Sequence, residues 1–175
     1  MEVVRITTAL KALVRTGWMQ RGIPPSMGET VAAHLFESAV LAYYLASRLA
    51  SKGRKVDPNR AAVLALFHDA GEAILGDLPK WATDNLGENK RSAELKANRE
   101  LGTDRLFMEY KAQNTVEAKV ARLSDRLSTV LQGLRYERMG FDVREIIHGY
   151  MREIEVLLNE LPELREDVDR LMKSL

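Results

Sequence analysis

The stretch "RAAVLALFHDAGEAILGDLP", residues 60–79, decides how the rest of the chain is read. Its small and apolar residues recur at helical spacing. This predicts a helix over about 58–75, opened by the "VDPN" turn at 56–59 and stopped at Gly76, a residue type suited to a helix C-terminus. On such a helix His68 and Glu72 are four apart and Asp69 and Glu72 three apart, so all three share one side. Ala61, Ala62 and Ala65 lie behind them, small enough for another helix to come close. Two acids at a helix C-terminus face the negative pole of its dipole, so a cationic neighbour is expected to offset them. An arginine can do this, and so can a metal ion.

Helical spacing extends over most of the remaining sequence, and no period-2 strand is found. Further helices are predicted at about 2–14, 29–52, 90–110, 115–138, 142–160 and 162–174. Between them lie an irregular loop, "RTGWMQRGIPPSMGE" (15–29), and a polar stretch, "DLPKWATDNLGENK" (77–90). Thr115 opens the helix at 115, and Glu117 stands three residues beyond Asn114 in a capping-box pattern. The expected architecture is all-α: one compact domain over residues 1–175, a bundle of about six to seven helices in which 140–175 supply packing.

Composition narrows the function classes. A chain of 175 residues is long enough for one core without staples, and 46% apolar with 29% charged residues is the profile of a globular protein. With 26 basic and 25 acidic residues the net charge is +1, which argues against a nucleic-acid or anionic-membrane partner. There is no cysteine, so any metal must be held by His, Asp or Glu. The N-terminal segment lacks the continuous apolar run of a signal peptide or membrane span, and a cytoplasmic protein is expected.

Two other polar residues stand out. His34 aligns with Val31, Ser38, Leu41 and Leu45 on a stripe that faces the interior, where a histidine satisfied by one hydrogen bond is the plain reading. Asp125, in "AKVARLSDRLSTVLQGL", lies opposite the apolar stripe of its helix and in line with Ala118, Ala121 and Ser128. It either faces a close neighbour helix or pairs at the surface with Arg122 or Arg126.

Taken together, an early His, a central HDxxE and a late Asp in "SDRLS" resemble the HD metal-dependent phosphohydrolases. The resemblance extends to their 5′-deoxynucleotidase (YfbR-type) branch through "RTGW" (15–18), Arg21, "ETVAAH" (29–34), "HDAGE" (68–72), "GDLP" (76–79) and "TVEAKVARLSDRL" (115–127). It implies an HD fold and a metal-dependent phosphomonoesterase acting on deoxyribonucleoside 5′-monophosphates. The metal would be one divalent ion (Mn, Co, Fe, Ni or Zn) on His34, His68, Asp69 and Asp125. Glu72 would act on the attacking water and Arg15 would hold phosphate. Trp18 and Asp77 would flank the sugar, with Arg21 and Glu109 as further substrate contacts. Each of these also has a plain reading: Trp18 as a loop anchor, Asp77 as a helix N-cap, Arg21 in a surface ion pair, Glu109 on a solvated face. Two departures are visible, Arg15 three residues before Trp18 rather than adjacent to it, and Ala33 where an acid usually precedes the first histidine. A different phosphate ester, or a non-catalytic nucleotide-binding module, are the competing readings. The resemblance also implies a homodimer. Ile146, Ile147, Val156, Leu157, Leu158 and Leu161 are available for a partner surface, or equally for the core.

Overall fold

The computed structural model describes residues 3–175; Glu2, the start of the first predicted helix, lies outside them. The helices are α1 (Val3–Ala12), α2 (Thr16–Met19), α3 (Val31–Ser51), α4 (Pro58–Phe67), α5 (Glu72–Leu75), α6 (Lys80–Leu101), α7 (Asp104–Ala112), α8 (Val116–Arg138), α9 (Arg144–Glu160) and α10 (Arg165–Lys173). A 3₁₀ turn, Pro162–Leu164, leads into α10. Among the described residues no strand forms and no helix is long and apolar enough to cross a membrane.

α8 is the axis of the bundle and packs on α3, α4, α7 and α9. Its middle is buried on two sides, with Val120, Leu123, Leu127 and Val130 on one and Ala121, Ser124, Asp125 and Ser128 on the other. Alanines at 42, 46, 61, 65, 118 and 121 are fully buried and let α3, α4 and α8 approach closely. Caps set the helix starts: Thr30 accepts from the Ala33 amide at 3.2 Å, Asp57 from Asn59 at 2.9 Å and Thr115 from Ala118 at 3.1 Å. The capping box expected at Asn114 does not form, because Glu117 instead accepts from the Asp57 amide at 2.8 Å.

Three predicted boundaries shift for local reasons. The helix expected over 58–75 ends at Phe67, and residues 68–71 form tight turns before α5 begins at Glu72. Glu72 therefore stands in the first turn of a short helix, where an acid is favoured, and not at an unfavourable C-terminus. Gly71 is required in this turn, since a Cβ there would lie 2.6 Å from Asn98 Nδ2 on α6. The polar stretch 77–90 is mostly helical from Lys80, interrupted at Gly87 (φ 48°, ψ −124°). The helix expected at 90–110 divides at Gly102, whose left-handed conformation (φ 73°) ends α6. These breaks, with α2 inside the 15–29 loop, account for more helices than the six to seven expected.

Candidate active site

Loop 15–29 is closed at its base by an antiparallel bridge between Val14 and Thr30, with Arg15 N–H donating to Glu29 C=O at 2.9 Å. Tyr136 on α8 pins it, donating to Met27 C=O at 3.0 Å and accepting from the Glu29 amide at 2.8 Å. The loop thus lies over the middle of the bundle, where α3, α4 and α8 bring His34, His68 and Asp125 together.

These three residues are almost fully buried, at 0%, 3% and 3% exposure, and a nitrogen or oxygen from each lies within 4.8 Å of the others. Asp125 Oδ1 is 3.3 Å from His34 Nε2 and 3.6 Å from His68 Nε2. Asp69 Oδ2 approaches His68 Nε2 at 3.0 Å from the more open side. Both Nε2 atoms are buried and make no well-aligned hydrogen bond, with only these carboxylate oxygens near them. A buried polar atom left so is costly unless something else satisfies it.

The ring tautomers are set from behind. His68 Nδ1 meets the Ala65 carbonyl at 2.7 Å; a carbonyl only accepts, so Nδ1 carries a proton, and in the neutral ring Nε2 presents a lone pair. His34 Nδ1 is 3.2 Å from Ser128 Oγ, which donates to Glu37 Oε2 at 2.9 Å. With Nδ1 donating to Ser128, Nε2 is left free for a cation. Arg15 Nη1 also lies 3.2 Å from Nδ1, but a guanidinium only donates, so this contact and ring donation to Ser128 are alternatives. The donor set, two free imidazole nitrogens and a carboxylate with a second beside it, fits a divalent transition metal.

Electrostatics agree. Burial disfavours a charged His68, yet Asp69 and Asp125 outweigh it and push the ring up to about 10. Burial likewise opposes the Asp125 carboxylate, but Arg126 and His68 hold it well below the usual range. Two carboxylates this close call for a cation, and without a metal the proton on His68 supplies it. Glu72 goes the other way: burial, then Asp69 and Asp77, raise it well above its ordinary value, and its Oε2 is buried without a partner.

A cavity of about 420 Å³ opens beside the cluster, with Arg15, Trp18, Asp77, Thr129 and Tyr150 among its walls. Arg15 and Thr129 link it to the cluster. Arg15 Nη1 contacts His34, Thr129 Oγ1 (3.3 Å) and Glu29 Oε2 (3.1 Å), and Thr129 Oγ1 donates to the Asp125 carbonyl at 3.2 Å. Trp18 is 2% exposed, with its Nε1 donating to Glu29 Oε2 at 2.9 Å, so it anchors the loop and faces the cavity at once. Asp77 does not cap α6; its carboxylate accepts from the Thr16 amide, tying the 76–79 turn to loop 15–29. Arg21 pairs with Glu145 at the cavity mouth. Glu109 is held by Arg60 near the opposite end of α4 and does not line the cavity. His148 is exposed on α9, and Ala33 also faces outward, so the residue before His34 has no part in the site.

Several site residues were not expected from sequence. Glu29 holds Arg15 and Trp18 with one oxygen. It stands in the "ETVAAH" motif, which marks it but does not reveal its contacts. Tyr110 donates to Asp125 Oδ2 at 2.5 Å; the Arg126 pairing that the sequence offered as the surface alternative forms on the same oxygen at 2.8 Å, but with Asp125 buried, and Arg126 also reaches Glu153 at 2.7 Å. Ile146, Gly149 and Tyr150 bring α9 into the cavity wall, so the C-terminal helices contribute more than packing. No local signal in the sequence marks Tyr110 or Tyr150, whose roles arise from helices meeting in space.

A protein-family model described as HD domain matches residues 7–154. This chain belongs to the HD domain family. The 5′-deoxynucleotidase HDDC2 of Xenopus laevis is 30% identical over 150 residues, spanning 79% of this chain and 70% of that protein. A conserved hypothetical protein from Pyrococcus furiosus superposes with a TM-score of 0.87 at 31% identity, covering 99% of both chains. The cyanophage S-2L HD phosphohydrolase DatZ, bound to dA and one catalytic Zn²⁺, has a TM-score of 0.66 at 17% identity. It covers 100% of this chain and 98% of its own, and shares the fold.

Proposed function

We propose that this HD-domain protein is a 5′-deoxynucleotidase. It hydrolyses deoxyribonucleoside 5′-monophosphates to the deoxynucleoside and inorganic phosphate, with one divalent metal on His34, His68, Asp69 and Asp125. The observation that carries the reading is the pair of buried Nε2 atoms without well-aligned hydrogen bonds that converge on Asp125, directly behind Arg15 and the cavity. The names of the curated relatives support the substrate class. No histidine lies between Asp69 and Asp125, which favours a single ion; nitrogen and oxygen ligands without sulfur suit Mn, Co, Fe, Ni or Zn.

When bound, such an ion supplies Lewis-acid polarisation of a phosphoryl oxygen and lowers the pKa of water. Arg15, already pinned by Glu29, holds the phosphate through its planar guanidinium fork. Trp18 and Asp77 flank the sugar; Arg21 adds positive charge at the entrance. Glu72, whose environment favours a proton, takes one from the attacking water. The water oxygen forms the new bond to phosphorus, the bond from phosphorus to O5′ breaks, and the proton on Glu72 balances the departing alkoxide. Glu109, committed to Arg60, has no role in this scheme.

Phosphate release from dAMP and AMP, each with Mn²⁺, Co²⁺ or EDTA, tests the proposal. Metal-dependent release from dAMP well above AMP is expected. Equal release removes the deoxyribose assignment, and no release from either removes the nucleotidase reading. A cytoplasmic homodimer is also proposed. Of the six C-terminal apolar residues considered, only Val156 is exposed, whereas Phe36, Val40 and Tyr43 form an exposed apolar stripe on α3. Light scattering on the purified protein tests the oligomer, with a monomeric mass as the contrary result.

A further inference from the structure

The chain has two tryptophans in opposite settings. Trp18 is 2% exposed in the core, whereas Trp81 is 75% exposed at the start of α6 and yet lines the cavity. Single exposed apolar residues are ordinary. An exposed indole on the wall of a substrate cavity is a different matter, because a ligand can bring an apolar face to it.

The order of residues along that wall says what the ligand part is. Arg15 and Thr129 mark the end next to the metal cluster. Asp77, bound to Thr16, comes next on the segment that follows Gly76, and Trp81 lies four residues further along the chain, in the first turn of α6. α9 also contributes to the lining through Ile146, Gly149 and Tyr150, and an added Cβ at Gly149 would meet nothing within 4 Å. The cavity therefore has open space beside Gly149 and an aromatic residue from each of α6 and α9 in its lining, Tyr150 with the Arg126 guanidinium 5.3 Å over its ring. Lys80 fastens the cavity rim by reaching Glu153 on α9 at 3.3 Å. Gly87, whose φ and ψ leave the helical region, separates residues 80–86, of which Lys80, Trp81 and Asp84 line the cavity, from the rest of α6.

We infer that Trp81 is the stacking platform for the nucleobase. The inference rests on the nucleotidase reading: phosphate at Arg15 and sugar at Asp77 place the base beside Trp81. Stacking on an indole uses the π-face that every base has, and it grips the end of the substrate farthest from the reacting bond. Trp81 is accordingly a substrate-binding residue that acts on KM more than on kcat.

The test compares wild type, Trp81→Ala and Trp81→Phe on dAMP and on deoxyribose 5-phosphate, which has no base. Because Trp81 is exposed, melting temperature serves as a folding control. Trp81→Ala is expected to raise KM for dAMP about 5- to 100-fold with kcat little changed, and to reduce the preference for dAMP over deoxyribose 5-phosphate by the same factor. Trp81→Phe is expected to recover most of the loss. An unchanged KM for dAMP in Trp81→Ala, or an equal rise for both substrates, overturns the stacking role while leaving the nucleotidase reading intact. No turnover of dAMP by wild type removes both together.

Discussion

Replacing Asp125 by asparagine keeps the shape of the side chain and removes one negative charge from the centre of the metal cluster. In the protein its carboxylate accepts from Tyr110 at 2.5 Å and Arg126 at 2.8 Å, and Oδ1 faces Nε2 of both histidines. An amide offers one acceptor oxygen and a donor NH₂, so it cannot serve both the donors on one side and a cation on the other. Two unit charges at 4 Å attract by about 4 kcal/mol at an effective dielectric constant of 20, and more for a divalent ion; after desolvation, ~2.7 kcal/mol is a conservative loss, which is about 100-fold in Kd. With Mn²⁺ at about 1,000 times its Kd, wild type gains ~4.1 kcal/mol. A domain of this size shifts by about 2–4 °C per kcal/mol, which gives a rise of about 8–16 °C. In Asp125→Asn the same Mn²⁺ concentration is only about ten times Kd, and the gain falls to ~1.4 kcal/mol or about 3–6 °C. Thermal melts of EDTA-stripped protein with and without Mn²⁺, paired with calorimetric titration, measure this directly. A metal-induced shift as large in Asp125→Asn as in wild type would refute the assignment of the cluster.

Other outcomes follow from the same contacts. Ser128→Ala breaks the Glu37–Ser128–His34 chain and is expected to weaken Mn²⁺ binding about tenfold in the same titration, with the fold intact. Glu72→Gln is expected to lower kcat for dAMP by roughly 10²–10⁴ while keeping the Mn²⁺-induced melting shift, because it removes a proton acceptor and not a ligand. Asp167 on α10 is buried and receives Arg48 Nε and Lys52 Nζ from the α3 end, each at 2.8 Å. Burial opposes its charge, but these two cations hold the carboxylate below its ordinary value. Asp167→Asn is therefore expected to cost about 1–3 kcal/mol in urea unfolding at pH 7. A carboxyl lowered on folding contributes stability above its unfolded pKa and loses it as pH falls through the folded value, so the difference between variant and wild type should shrink below about pH 4. A gap that stays constant from pH 7 to pH 3 would mean that the ion pairs are not its source.

Much of the molecule is legible in the one-dimensional pattern. Helical spacing gives α3, α8 and α9 nearly to the residue, because each carries a continuous apolar stripe that the core must cover. The inward stripe of α3 carries His34 inside, and the small residues around Asp125 on α8 mark a face that receives another helix. The order of His34, His68, Asp69, Glu72 and Asp125 is likewise a sequence property, since each is tied to a local motif. The boundaries around 68–71, 87 and 102 are not legible in this way. They depend on a histidine ring bonded to the Ala65 carbonyl, an asparagine pressed against Gly71, and glycine conformations that periodicity does not encode.

The sequence by itself determined an all-α chain and the residue types that can bind a cation and a phosphate, because spacing along a helix dictates which side chains share a face. Tertiary structure alone decided their partners. It set Tyr110 on Asp125, Ser128 and Glu37 behind His34, Glu29 between Arg15 and Trp18, and α9 with Trp81 around the cavity. These contacts join residues as far as about a hundred positions apart, as between Glu29 and Tyr136 or Glu37 and Ser128. Their geometry is fixed by how whole helices pack, and no local stretch of chain carries that information.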